Sequence, residues 1–424
     1  MRDHRNMTKY DLLIIGGGAA GLAAAASFIK ETGGGTGGQA SSICILEKNA
    51  SPGRKINATG GGRCNLTNAA CPGKDMTLEF FRGLGIETWQ DHEGRYYPYT
   101  NKASDVTKAL LDRISDETEG VRVRLQCGFT VRVVSRVCYE DEEDSCFMIT
   151  GSHTAGSDAS GETEMIFADR VLIAMGGKAG PQYGTTGDGY TIARTLGHTV
   201  TRVFPILTGI SCRSRDTADS KAAPVDFAAL KGVRAKGTVI LHRDGAPVAR
   251  DTGEIQFTED GLSGICVFNL TPHIRAGKNE NFTEAMKRYT LAVDLAPDFT
   301  EEELSGRDSA FGILTDKLAG ALANAGVLDE GVDGIKHWEL DITGVKGWRD
   351  AQATFGGVAL DEIDMETMES QRVPGLYFAG EILDAQGPCG GFNLQNAWET
   401  GIKAARAVAG SLQSAGESES GRED

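Results

Sequence analysis

The run from Tyr10 to Gly21, Tyr-Asp-Leu-Leu-Ile-Ile-Gly-Gly-Gly-Ala-Ala-Gly, limits the fold of this chain more than any other stretch. Tyr10 to Ile15 reads as a short buried strand. Gly16, Gly18 and Gly21 form a Gly-x-Gly-x-x-Gly turn, and the alanine-rich Leu22 to Ile29 opens a helix. A strand, this turn and a helix in succession are the setting in which the fingerprint signals a dinucleotide. Gly16 permits the tight turn, Gly18 lets the backbone approach a pyrophosphate, and Gly21 lets the helix pack on the strand. Ala19 and Ala20 lie in the same loop, where the helix N-terminus offers N–H groups and a partial positive charge to phosphate. A second strand, Ser42 to Glu47, ends in the acid expected to bond a ribose hydroxyl, and Lys48 beside it joins the expected cofactor contacts. The usual spacing to that acid is roughly twenty residues. It is longer here because Gly33 to Gly38 extends the helix–strand loop. Leu12 to Ile29 also has the apolar outline of a secretory signal. Asp11, the ordered glycines and the lack of a convincing cleavage site argue against that reading.

At 424 residues the chain has room for two or three domains, and its 40% hydrophobic content suits a globular protein with a substantial core. The net charge of −16 repels phosphate backbones, so no nucleic-acid partner is expected. The nine cysteines form no Cys-x-x-Cys pair, and the seven histidines form no i, i+4 pair. Neither a dithiol centre nor a protein metal site is expected. No membrane span is expected, and the odd cysteine count fits a reducing cytoplasm.

Beyond Glu47 come a basic turn, Pro52-Gly53-Arg54-Lys55, and a second glycine loop, Thr59-Gly60-Gly61-Gly62-Arg63-Cys64-Asn65. Its successive glycines permit close approach of backbone to a flat ligand. Val121 to Leu125, Phe129 to Val133 and Phe147 to Thr150 read as strands, and Ala168 to Gly177 as the return to the first sheet. Gly184 to Tyr190 opens a helix through Leu196, with Asp188 as a candidate cap and His198 as a cap or surface residue at its end. From 201 the pattern changes to short strand candidates at 236–241, 253–257 and 264–268, then helical spacing over 301–326. The expected division is 1–200 with 346–412 as one domain, 201–345 as an inserted barrel-plus-helices module, and 413–424 as a disordered acidic tail. Near the end, Leu376 to Phe378 leads into Gly380-Glu381, and Gly390-Gly391-Phe392-Asn393-Leu394-Gln395 starts a helix expected over 397–412.

These motifs together resemble a family of bacterial FAD-dependent oxidoreductases that includes a bile-acid-inducible reductase and aminoacetone-oxidase-like flavoproteins. The likeness spans about 10 to 410 and is carried by the opening fingerprint, Pro52 to Lys55, Gly60 to Asn65, Gly184 to Tyr190, Gly356-Gly357-Val358 and Gly375 to Trp398. The chain departs from the pattern in its glycine-rich expansion and at Cys389. The resemblance implies an α/β fold: a glutathione-reductase-type, FAD-binding Rossmann domain split by the inserted module. The residues agree, because a long two-ended cofactor needs the second Gly-Glu strand end and the Gly-Gly-x-Asn-x-Gln helix start. The AMP half is expected on Gly16 to Gly21 and Glu47, with the adenine near the Val131 backbone. The flavin half is expected near Gly61, Gly62, Arg63, Gly380, Glu381, Asn393 and Leu394. Arg54, Lys55 and Arg63 are read as cofactor contacts, with an anionic substrate as the alternative.

The activity implied is hydride delivery to a carbon–carbon double bond conjugated to a ketone. The implied substrate is a small molecule: a 3-oxo-4-ene or 4,6-diene steroid, such as a bile-acid or CoA-derived intermediate. NADH or NADPH is the expected transient donor, since FAD takes the one full fingerprint. An amine oxidase producing hydrogen peroxide, a flavin-binding sensor and an RNA-associated flavoprotein are the rivals. No catalytic residue is assigned. Tyr96 and Tyr97 are candidate phenol donors against a bland role in packing, and Cys64 is a candidate thiol against small-residue packing.

Overall fold

The computed structural model describes residues 9–33, 41–115, 120–138, 145–153, 162–215, 224–277, 280–307 and 310–420. The chain forms two units, one made of Met1–Val203 with Thr354–Asp424 and the other of Phe204–Ala353. The second boundary falls later than the expected 345/346. Lys346 N–H donates to the Gly209 carbonyl and Gln352 N–H to the Leu207 carbonyl, which keeps this stretch with the inserted unit.

In the first unit, the strands of the large sheet are β1 (Lys9–Ile15), β2 (Ser41–Glu47), β3 (Val121–Cys127), β4 (Phe129–Cys138), β5 (Ser145–His153) and β6 (Thr163–Ile173). Their order is β3-β2-β1-β6-β5-β4. The β1 pairings with β2 and β6 are parallel, as is β2 with β3. The β6 strand serves two partners on one edge. Its first half pairs antiparallel with β5, and Val171–Ile173 pair parallel with the late strand Leu376–Phe378. Leu12 to Ile15 are all buried, as a continuous apolar run in a parallel strand covered on both faces requires. Helix α1 (Ala19–Thr32) lies against the long helix Phe392–Ser420. Small residues set the spacing: a Cβ on Gly401 would lie 2.3 Å from the Ala20 carbonyl oxygen. This is a Rossmann-type α/β domain, interrupted in sequence by the second unit.

Three local expectations need correction. The last helix runs to Ser420, past the expected tail boundary at 413, and residues 421–424 lie outside the described residues. Leu412 packs on the core and Gln413 donates to the Glu31 carbonyl, so the helix is still held to the domain at that point. Asp188 is the first residue of the helix Asp188–Thr195, not its cap. That position falls to Gly187, which has φ 83°. His198 is buried, with Nε2 2.7 Å from Ser370 Oγ and its ring edge-on to Phe378.

Burial lowers the His198 pKa, Glu362 opposes this and Arg372 assists it. The folded state therefore binds the proton less readily than the unfolded chain, and stability falls as pH drops below about 6.5. Urea midpoints between pH 7.5 and 5.5 should fall in the native chain and fall less steeply in His198→Gln. An equal slope in the variant would remove His198 as the source.

The second unit is a closed barrel in the strand order Ile210–Ser214, Gly261–Ser263, Ala246–Thr258, Arg234–Arg243, Tyr289–Asp294, Trp338–Val345. It closes because Ile210–Ser214 pairs with both Gly261–Ser263 and Trp338–Val345. Phe227, Phe257 and Trp338 stack in its core. The expected strand over 264–268 is instead the short helix Ile265–Phe268. Gly264, at φ 112°, turns the chain there against the Glu254 carbonyl. The expected helical region over 301–326 is two helices, Glu301–Ser305 and Asp316–Asn324, capped by Thr300 and Thr315. Among the described residues, no group of three or more His, Cys, Asp or Glu could hold a metal ion, and no helix is long and apolar enough to cross a membrane.

Candidate functional site

The fingerprint glycines differ in what surrounds them. Gly16 has φ 113°, and a Cβ there would lie 2.3 Å from the Ala174 carbonyl oxygen. A Cβ on Gly21 would lie 1.9 Å from the Gly16 carbonyl oxygen. Both are confined by the protein's own backbone. Gly18, the N-cap of α1, has no atom within 4 Å of such a Cβ. The first turn of α1 carries no acid, and no side chain caps it. A positive helix end with free space beside its cap suits a diphosphate.

Glu47 sits at the end of β2, buried, and its oxygens are well ordered by backbone. Gly17 N–H donates to Oε2 at 2.8 Å, and Asn49 donates to Oε1 through its backbone (2.7 Å) and its side-chain amide (2.6 Å). A carboxylate oxygen has more than one acceptor direction, so these bonds fix Glu47 and leave capacity for a hydroxyl donor. Gly128 N–H donates to the Asn49 carbonyl at 2.8 Å, which brings the start of β4, and with it buried Val131, alongside this strand end. Gly17 and Asn49 were not singled out in the sequence. Asn49 lies two residues past the expected acid, and that spacing was the available signal.

The basic residues are engaged by the protein. Lys48 bonds Thr186 Oγ1 (2.7 Å) and Asp188 Oδ2 (2.6 Å). Burial works against the Asp188 anion, but the bonds from Lys48 and Thr186 hold its carboxyl below the usual range. Arg54 donates to Asn49 Oδ1 and to the Gln182 carbonyl. Lys55 pairs with Glu381 at 2.6 Å and also donates to the Ala179 carbonyl. Glu381 Oε1 accepts the Thr354 N–H at 2.9 Å. Two residues read from the sequence as cofactor contacts, 326 positions apart, thus bind each other.

At the other end of the expected cofactor, Gly60, Gly61 and Gly62 all have positive φ, and a Cβ on Gly61 or Gly62 would meet nothing within 4 Å. Arg63 is exposed, with its guanidinium 4.5 Å over the Tyr97 ring. Tyr97 is buried and stacked on Trp89, and Tyr96 is half-buried beside it. Burial pushes the Cys64 thiol up to about 12, with a bond to Thr59 opposing, so it is a protonated packing group near neutral pH. Gly380, at φ 80°, would place a Cβ 2.9 Å from the Ala20 Cβ, which seats it on the first turn of α1. Asn393 closes the Gly387-to-Asn393 loop by exchanging hydrogen bonds with Gly387 at 3.0 Å in each direction, and Leu394 packs on the core.

Three buried polar atoms near these loops have no hydrogen-bond partner: Asn65 Oδ1, Thr67 Oγ1 and Gln395 Oε1. The free space at Gly18, Gly61 and Gly62 and these orphaned groups fit a long polar cofactor laid from α1 towards the terminal helix. A cavity of about 340 Å³ lies elsewhere, in the barrel unit, beside Arg215, His242, Asp244 and Arg288. Its arginines are paired with Glu339, Asp341 and Asp244.

A family model described as the HI0933-like protein Rossmann domain matches residues 73–407. A 3-dehydro-bile acid delta(4,6)-reductase of Clostridium scindens is 31% identical over 416 residues, covering 87% of this chain and 93% of that protein. A ribosomal RNA dihydrouridine synthase of Escherichia coli is 28% identical, covering 93% of this chain and 96% of that protein. Among solved structures, the open conformation of a flavocytochrome c3 fumarate reductase aligns with a TM-score of 0.48 at 15% identity, over 96% of this chain and 79% of that one.

Proposed function

The chain belongs to the HI0933-like Rossmann family, and on that premise we propose that it is an FAD-dependent reductase of carbon–carbon double bonds conjugated to a carbonyl. The substrate class proposed is a 3-oxo-4-ene or 4,6-diene steroid of the bile-acid type, taken to the saturated 3-oxo product. The observation that carries this reading is the 31% identity, over most of both chains, to a protein named as a bile-acid delta(4,6)-reductase. The second relative's name describes related chemistry, since dihydrouridine is uridine with two hydrogens added across a ring double bond. That relative supports the reaction type and makes uridine in RNA the second reading. The net charge of −16 weighs against RNA as the substrate.

When bound, FAD supplies hydride chemistry that no side chain can provide. The rest belongs to the protein. Gly16, Gly18, Gly21 and the α1 N-terminus would hold the diphosphate, with Ala19 and Ala20 in the first turn. Glu47, fixed by Gly17 and Asn49, would accept a ribose hydroxyl. The start of the terminal helix at Asn393 and Leu394 would stabilise negative charge on the ring oxygen nearest it. Overall, NADH or NADPH gives a hydride and the medium a proton, so two hydrogens add across the double bond and the nicotinamide is oxidised.

The test is anaerobic. Protein reduced with NADH or NADPH should be reoxidised by a 3-oxo-4-ene steroid, with recovery of the flavin absorption band and a product two hydrogens heavier. Reoxidation only by a uridine-containing RNA would sink the steroid assignment and favour the second reading. Oxygen consumption with an amine, and no response to enones, would instead place the chain with the amine oxidases.

A further inference from the structure

We infer that the side-chain oxygen of Asn65 accepts the N3–H of the flavin's pyrimidine ring. The inference rests on the FAD reading above and names a group that holds the reactive end of the cofactor. Asn65 is 7% exposed, and its Oδ1 has no partner. Native proteins leave few buried polar atoms unpaired, and the exceptions call for a reason. Here the surroundings supply one.

Asn65 stands where two glycine loops meet. A Cβ on Gly60 would lie 3.1 Å from the Asn65 backbone nitrogen, and a Cβ on Gly391 would lie 2.9 Å from Asn65 Oδ1. Beyond Gly60, the positions of Gly61 and Gly62 are open. Beyond Gly391 begins the helix Phe392–Ser420, whose Trp398 is tied by its indole N–H to the Leu66 carbonyl. The unpaired oxygen is therefore enclosed against the residue that precedes a positive helix end, and its backbone adjoins the loop whose Gly61 and Gly62 positions are open.

Chemistry selects the partner. An amide oxygen only accepts, so its partner must donate. The pyrimidine edge of oxidised flavin presents acceptor, donor, acceptor in the order C2=O, N3–H, C4=O. If the helix N-terminus faces C2=O, the next group round the ring is N3–H, the one N–H of that ring system. Thr67 Oγ1, also buried and unpaired, can either donate or accept and so can serve a neighbouring carbonyl.

The experiment uses the full chain stripped of flavin and reconstituted with FAD or with FAD methylated at N3. Affinity is read by fluorescence quenching and visible spectra, without turnover. The native chain should bind the methylated cofactor about tenfold more weakly. Asn65→Leu should weaken FAD by about tenfold and bind both cofactors alike. Asn65→Asp keeps an acceptor and should keep the preference. A native chain that binds both equally overturns the inference and needs no variant to do so. A preference that survives in Asn65→Leu also overturns it, because bulk alone would then explain the methyl effect. A chain that takes up neither cofactor overturns the functional reading along with this one.

Discussion

Gly21→Ala is expected to remove FAD binding and to destabilise the first unit by about 3 kcal/mol. The added methyl carbon would lie 1.9 Å from the Gly16 carbonyl oxygen, well inside van der Waals contact with backbone that has nowhere to go. Relief requires α1 to move off β1, but α1 is also seated on Gly380 and Gly401 of the C-terminal segment. Gly18→Ala is the matched control. Its Cβ would enter empty space, and its φ of −89° suits any residue. The flavin-free Gly18→Ala protein should therefore melt close to the native temperature, while its FAD affinity drops at least about tenfold as the methyl takes room meant for the diphosphate. Thermal melts of the stripped proteins and FAD titrations separate the two effects. Equal loss of stability in both variants would show that the space at Gly18 is not reserved for a ligand.

Breaking the Lys55–Glu381 pair comes next in size. Glu381→Ala should cost about 2 kcal/mol, because it strands a largely buried ammonium and leaves the Thr354 N–H without its carboxylate. The pair is only partly screened, at 26% and 19% side-chain exposure, so the effect should stay below that of a fully buried pair. Lys55→Met in the Glu381→Ala background should restore part of the loss. A double-mutant cycle in urea reads the coupling, and a coupling near zero would mean the two residues act independently.

Much of this arrangement is legible in the sequence for simple reasons. Leu12 to Ile15 form an unbroken apolar run, which a parallel strand buried on both faces demands, and the glycines after it have few other uses. Glu47 is legible because it ends the next such run. Periodicity says less where the chain turns sharply. Ile265–Phe268 has the apolar content of a strand, and only the φ of 112° at Gly264 converts it into a helical turn. His198 reads as a helix-end residue, but Ser370 and Phe378, far along the chain, make its place an interior one. Asn65 is legible as part of a glycine loop suited to a cofactor, but its orphaned oxygen and its place beside Gly391, 326 residues later in sequence, are not. Lys55 and Glu381 are each visible as polar groups near a glycine turn, but nothing local in either segment announces that they pair.

The shared edge of β6 also bears on how the protein is made. On the edge away from β1, Val171 to Ile173 find their parallel partner in Leu376 to Phe378. A ribosome adding roughly 5 to 20 residues per second reaches that partner about ten to forty seconds after it has made the edge. Throughout that interval the nascent sheet presents an unfinished hydrogen-bonding edge, the kind that invites mispairing with other chains. The floor on which Gly380 meets α1 does not yet exist either. Cofactor loading is therefore expected only after Leu376 to Gly380 have been made and seated.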